Sequence, residues 1–172
     1  MADRIYPNRI LGIDPGLNTT GYAVIDTDGQ QVALIEAGVV RSTRSKSFEQ
    51  RLQQIFDGVA DVIQSLSPDL MSLEEVYSHY ERPQTAILMG HARGVINLAA
   101  AQNNLVVNSY SATQVKSQLT GNGRAPKHQV QLSVVQHLSL EEVPSPDDVA
   151  DAMAIALCHT FIQRSQLSQQ TN

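Results

Sequence analysis

The residues with the clearest capacity for chemistry are acids. Asp148 and Asp151 stand three apart in a segment that reads as a helix from Pro146 to about Arg164, and residues at that spacing share a helix face. The core stripe of this helix is Val149, Ala152, Met153, Ala156, Leu157, Thr160 and Phe161, at spacings of three and four. The face bearing the two acids continues as Ile155, Cys158 and His159, with no formal charge after Asp151 until Arg164. A solvated face would alternate with Lys, Glu or Gln. These acids therefore sit at the rim of a largely buried helix, where a carboxylate needs a partner. Ser145-Pro146-Asp147-Asp148 is also a good helix start: a capping serine, a proline at the first position and acids in the first turn. Capping accounts for Asp147 and can account for Asp148, but it does not reach Asp151.

Asp14 closes the apolar run Arg9-Ile10-Leu11-Gly12-Ile13-Asp14 before Pro15-Gly16, the pattern of a buried strand stopped by a turn. Its carboxylate has an ordinary use, bonding the turn amides. Glu74 and Glu75 lie in a second apolar run, where adjacent side chains point to opposite faces. At most one of them joins any given cluster, and the pattern alone leaves open which. Several carboxylates converging from two strands and a helix, without a His/Cys set, favour a hard cation with oxygen ligands, Mg²⁺ or Mn²⁺. Two such ions activate a water and stabilise the leaving oxygen of an in-line phosphoryl displacement.

The elements that must position these acids follow from the pattern. Residues 9–14, Thr19 to Asp26 and Gln31 to Arg41 read as three strands in a meander, with Asp28-Gly29 as a hairpin turn. Ser47, with Gln50 at capping-box spacing, opens a helix on which Phe48, Leu52, Ile55, Phe56, Val59, Val62 and Ile63 recur at helical period. Leu70 to Val76 is a fourth strand. Gln84 to Asn103 is a helix with Ile87, Leu88, His91, Val95, Leu98 and Ala99 as its apolar set, and Leu105 to Asn108 is a fifth strand. Two β–helix–β crossovers make the later strands parallel. A short helix from Ser111 to Leu119, the loop 121–125, a helix from Pro126 to about Leu138 and the last helix complete an α/β fold. The sheet is five-stranded and mixed, an antiparallel three-strand meander plus two parallel strands, flanked by helices on both faces. Residues 1–164 are expected to form a single domain, with 165–172 an unstructured Gln/Ser tail.

The chain has 172 residues, 42% hydrophobic and 17% charged, enough to bury a core without disulfides. The lone Cys158 excludes an internal disulfide and fits a reducing compartment. No run of eighteen apolar residues occurs, and the first residues lack an apolar core of the kind a signal peptide needs. A cytoplasmic protein with no membrane partner is expected. The net charge of −5 argues against nucleic acid, but its distribution does not. From Arg82 to Leu140 there is no Asp or Glu, and Arg82, Arg93, Lys116, Arg124 and Lys127 give +5; the other 7 basic and all 17 acidic groups give −10. A basic segment in an acidic chain is a candidate phosphate-binding surface, with Arg82, Lys116, Arg124 and Lys127 its candidate contacts.

Five ordered blocks resemble the RuvC crossover-junction (Holliday-junction) endodeoxyribonucleases. They are Leu11-Gly12-Ile13-Asp14-Pro15-Gly16 with Thr20-Gly21-Tyr22; Leu73-Glu74-Glu75-Val76-Tyr77; Gly90-His91-Ala92-Arg93-Gly94-Val95; Gln114-Val115-Lys116 with Gly121, Gly123 and Lys127; and residues 148–156. The resemblance runs from Ile10 to His159. It implies a ribonuclease-H-like fold and assigns Glu74 rather than Glu75, and Asp148 rather than Asp147, as the acids that join Asp14 and Asp151 in catalysis and Mg²⁺ binding, two ions per site with Mn²⁺ able to substitute. It further implies hydrolysis of four-way junction DNA in recombination and repair, with 5′-phosphate and 3′-hydroxyl products. Tyr77 matches an aromatic position that contacts bases, and Lys116 and Lys127 match basic positions near DNA. The branch-migration motor RuvAB is an implied partner. The segment 78–84 departs from the family pattern, which leaves any base preference open.

A homodimer is expected because a four-way junction is resolved by two symmetric nicks. Gly90, Gly94 and Leu98 are the candidate interface, the two glycines being four apart on one helix. The alternatives are another ribonuclease-H-like nuclease or a catalytically inactive DNA-binding relative; the latter would lose one or more of the acids. One lobe of an actin-like phosphate-binding fold would also use the turn at 14–21, but needs a second lobe for which this chain has no room.

Overall fold

The structure is a computed structural model that describes residues 5–76 and 83–170. One five-stranded sheet organises it. Strands β1 (Asn8–Asp14), β2 (Thr19–Thr27) and β3 (Val32–Arg41) form an antiparallel meander, and β4 (Leu70–Glu74) and β5 (Val106–Tyr110) run parallel to β1, in the order β3-β2-β1-β4-β5. The expected mixed sheet is the observed one. Helices α1 (Phe48–Leu66) and α2 (Pro83–Gln102) cover one face; α3 (Ala112–Thr120), α4 (Lys127–Leu138) and α5 (Asp147–Gln170) cover the other.

Strand alternation divides the core between these faces. Leu11, Ile13, Met71 and Leu73 pack towards Ile55, Val59 and Ile96, whereas Ile10, Ala23 and Ile25 pack towards α5. Helix α1 begins at the capping box read from Ser47 and Gln50, and Ser111 with Gln114 starts α3 in the same way. At the far end of the sheet a buried ion pair joins Arg9 Nε to Asp26 Oδ1 at 2.6 Å, and Arg9 Nη1 donates to the Leu66 carbonyl at 2.9 Å, tying the meander to the end of α1. No helix among the described residues is long and apolar enough to cross a membrane.

Five expectations need correction. β4 ends at Glu74, not Val76, and β5 extends to Tyr110, because the parallel ladder runs to the pair Glu74↔Tyr110 and the next residue, Ser111, caps α3. Helix α5 starts at Asp147, one residue after Pro146. It also continues through residues 165–170, where an unstructured tail was expected; Ser165 and Ser168 donate to the carbonyls of Phe161 and Arg164. On α2 the buried face is Ala92, Ile96, Ala99 and Ala100, and of the six residues read as its apolar set only Ala99 is fully buried. Apolar residues fall on two sides of α2, and the side carrying Ala92, Ile96, Ala99 and Ala100 is the one that packs against α1 and the sheet.

Candidate active site

Asp14 ends β1 and pairs with Gly21 of β2, so both face α5. Gly21 is small for a reason: a Cβ there would lie 2.0 Å from the Asp148 carbonyl oxygen. A Cβ on Gly12 would likewise meet the Ala152 carbonyl at 2.2 Å. Without side chains at these two points, α5 lies directly on the sheet and brings Asp148 and Asp151 over Asp14. Ser72 Oγ, two residues before Glu74 on the same face, donates to the Ile155 carbonyl at 2.7 Å and fixes β4 to the same helix. Glu74 therefore arrives on the α5 face, where its side chain is hydrogen-bonded to Asp14. Glu75 instead donates its backbone N–H to the Tyr110 carbonyl at 2.9 Å. Helix α5 is buried at every position from Val149 to Thr160 except Asp151, so its acids do stand at the rim of a buried helix.

Asp14, Glu74, Asp148 and Asp151 are all half-buried. Burial and the charges of Glu74, Asp151 and Asp148 push the Asp14 carboxyl up to about 8, so it keeps a proton and donates it to Glu74. Glu74 is also raised, by burial and by Asp151, against the pull of Lys116 and Lys127. Lys127 Nζ stands 2.8 Å from Asp151 Oδ2 and 3.1 Å from Asp147 Oδ2. Partial burial works against that ammonium, but the two carboxylates outweigh it and its pKa is raised. A proton and an ammonium thus balance the cluster. Among the described residues no three His, Cys, Asp or Glu side chains are drawn in around one point. The donor set is nevertheless all carboxylate oxygen, which suits a hard divalent cation, and its mutual repulsion favours one.

Two clefts flank the acids. One, of about 250 Å³, is lined by Glu74, Asp151, Lys116 and Lys127 over an apolar floor that includes Val115 and Ile155. The other, of about 550 Å³, opens between the β1–β2 turn and α2 and is lined by Asp148, Asn18, Thr19, Arg44 and Thr85. Lys116 is half-buried on α3, and Arg124 is exposed on the α3–α4 turn. Tyr77 and Arg82 lie outside the described residues. Asp147, exposed and bonded to Lys127 and Gln131, ties the start of α5 to α4. Sequence reading missed three contributors. Gly12 and Gly21 were visible as glycines inside strands, and Arg44 lies outside the basic segment. Arg93 counted towards the +5 stretch, yet its guanidinium is engaged within the chain, donating to the Glu74 carbonyl at 3.1 Å and to Ser109 Oγ at 2.7 Å, and so braces the end of β4.

Comparison with known proteins gives this arrangement a lineage. Residues 10–159 match the family model for crossover junction endodeoxyribonuclease RuvC. The chain belongs to the RuvC family. The RuvC of Rhodopirellula baltica is 56% identical over 93% of this chain and 90% of its own length, and that of Fusobacterium nucleatum 39% identical over 93% and 84%. The Thermus thermophilus RuvC structure covers 92% of this chain and 96% of its own at a TM-score of 0.85 and 33% identity. T. thermophilus RuvC in complex with Holliday junction substrate matches at 0.87 and 32%, over 93% and 97%. The yeast mitochondrial resolvase Ydc2, at 16% identity and a TM-score of 0.63, shares the fold. RuvC nucleases are metal-dependent.

Proposed function

We propose that this chain resolves four-way (Holliday) DNA junctions in recombination and repair, hydrolysing one phosphodiester in each of two strands and leaving 5′-phosphate and 3′-hydroxyl ends. The observation that carries the reading is the placement of Asp14 on β1 within reach of the charges of Glu74 on β4 and of Asp148 and Asp151 on α5, with Lys116 and Lys127 lining the adjoining cleft, in a chain of the RuvC family. These four carboxylates would hold Mg²⁺, two ions per site, with Mn²⁺ able to substitute. Bound divalent ions there supply the activated water and the charge that stabilises the leaving oxygen.

The chain's own residues prepare the site. Asp14 must give up its proton before it can ligate, so loading is proton-linked. Lys116 and Lys127 bring positive charge to the mouth through which a phosphate enters, over an apolar floor that includes Val115 and Ile155. Arg93 braces the strand end that presents Glu74. Tyr77, Arg82 and Arg124 complete the DNA-facing surface in this reading, which also places the enzyme in the cytoplasm with a RuvAB-type motor delivering its substrate. Two copies act together, one site per cut strand.

The test compares a four-way junction, a linear duplex and an RNA·DNA hybrid as substrates in Mg²⁺. Paired nicks confined to the junction are expected. Asp14→Asn and Asp151→Asn should each lose at least about a hundredfold in rate, the cost of removing about 3 kcal/mol of charge stabilisation, while retaining junction binding. Preferential cleavage of the hybrid, or near wild-type rates in either variant, would overturn the reading.

A further inference from the structure

The cleft on the α2 side of the carboxylates has a cation of its own that the basic segment does not supply. Arg44 is exposed in the loop between β3 and α1, and it lines this cleft together with Asp148. Among the described residues its guanidinium makes no ion pair, although Asp148 borders the same space. The scaffold beneath it is firmly built. Ser42 donates its backbone N–H to the Asn18 carbonyl at 3.1 Å and its hydroxyl to the Leu17 carbonyl. Arg51 donates to the Leu17 carbonyl at 3.1 Å and to Asn18 Oδ1 at 2.7 Å. Gln54 Oε1 accepts from the Thr43 N–H at 2.8 Å, and Lys46 closes a turn on the Thr43 carbonyl at 3.0 Å. The loop that carries Arg44 is thereby fastened both to the β1–β2 turn and to α1, and the carbonyls of Leu17 and Asn18 are consumed within the scaffold rather than presented to the cleft.

The placement in the sheet matters as much as the charge. Sheet order β3-β2-β1-β4-β5 puts Arg44, which follows β3, and the β1–β2 turn on one side of Asp14, and Glu74 on the other. The Lys116 and Lys127 cleft opens on the Glu74 side, and the Arg44 cleft borders Asp148. A polyanion crossing the carboxylates needs a cation on each side, because a strand held on one side only would be repelled as it passed the acids. We infer that Arg44, with the β1–β2 turn at Asn18 and Thr19, forms a second phosphate-binding subsite, which takes the DNA backbone phosphate adjacent to the scissile one on the side away from Lys116 and Lys127. The inference rests on the junction-cleaving reading above and adds the path of the cut strand: in past the lysines, over the four carboxylates, out past Arg44.

The experiment measures binding of a labelled four-way junction across a salt series in EDTA, for the full chain and for Arg44→Gln, Arg44→Lys and Lys116→Ala. The measurements are repeated on junctions in which single phosphates flanking the cut position are neutralised as methylphosphonates. Arg44→Gln should lower the log–log salt slope by about one and weaken binding roughly five- to tenfold at 0.1 M salt, and Arg44→Lys should restore the slope. One methylphosphonate should weaken binding by the full chain yet cost Arg44→Gln nothing further. A wild-type slope in Arg44→Gln alongside a reduced slope in Lys116→Ala would overturn this subsite and leave the function standing, as would a methylphosphonate scan that gives the same profile for both proteins. A full chain with no preference for the junction over linear duplex would overturn the proposed function and this inference with it. Circular dichroism and a thermal melt matching the full chain establish that an exposed Arg44 variant is folded, so a lost slope reads on the contact.

Discussion

At the scale of single residues, the site holds charge that the fold would be better without. The Asp14 carboxyl is pushed up to about 8 by burial and by three neighbouring acids, whereas in the unfolded chain an aspartate titrates near 3.9. As pH rises from about 4 to about 8 the unfolded chain gives up this proton and the folded chain keeps it. Ionisation therefore favours the unfolded state progressively, and stability falls across that window and levels off above about 8. Glu74 is shifted in the same direction. Without divalent ions, Asp14→Asn should accordingly be more stable than the parent, by about 1 kcal/mol or more at pH 8 and by much less at pH 5. Thermal melts at the two pH values check this, and an advantage of equal size at both would show that Asp14 is not the group under strain.

At the scale of elements, the contact of α5 with β1 and β2 decides whether the acids meet. Gly21→Ala puts a methyl group onto the backbone of Asp148, and a backbone atom cannot rotate away as a side chain can. We expect a loss of about 1–3 kcal/mol from overpacking and a fall in cleavage larger than the fall in junction binding, because the displaced residue is an acid of the site. Cleavage and binding that fall in equal proportion would argue that α5 had not shifted relative to β1. The opposite end of the sheet depends on a different kind of contact. Arg9 is 2% exposed and Asp26 0%, so Arg9→Met leaves a buried carboxylate without its guanidinium, at a cost of about 3–5 kcal/mol. Urea unfolding measures it, and a cost below about 1 kcal/mol would mean that solvent reaches Asp26.

At the scale of the whole molecule, α2 presents an apolar outer side. Ile87 is 60% and Leu98 49% exposed, and a Cβ on Gly90 or Gly94 would meet nothing within 4 Å. Small residues there do not serve packing within the chain, where the buried face of α2 is Ala92, Ile96, Ala99 and Ala100, against α1 and the sheet. A two-fold pair built on this side would bury the exposed residues and give two sites for two strands. Sedimentation equilibrium at micromolar concentration should find a dimer, weakened at least tenfold by Gly94→Leu. A chain that stays monomeric with junction bound would defeat the dimer, and a dimer indifferent to Gly94→Leu would move it to another surface.

The sequence by itself determined the order and type of the elements. Strand and helix periodicities, the Ser47 capping box and the Asp28-Gly29 turn are local patterns, and local patterns survive without knowledge of the fold. It also marked Asp151 as an acid that capping could not explain, because an all-apolar helix face leaves a carboxylate few uses. The residue pattern alone left open which acids meet; the family resemblance named them, and the tertiary structure supplies the physical reason. Glu74 and Glu75 are equivalent in pattern, and only the parallel register of β4 between β1 and β5, with Ser72 bonded to α5, turns Glu74 towards Asp14. The buried face of α2 was equally undetermined, since a helix with apolar residues on two sides takes its orientation from what it packs against. Arg93 is the clearest case: in the sequence it is one charge in a basic run, and in the fold its donors are taken up by a carbonyl and a hydroxyl. Charge can be counted along a chain, but the direction in which it points is set by contacts between residues far apart in sequence.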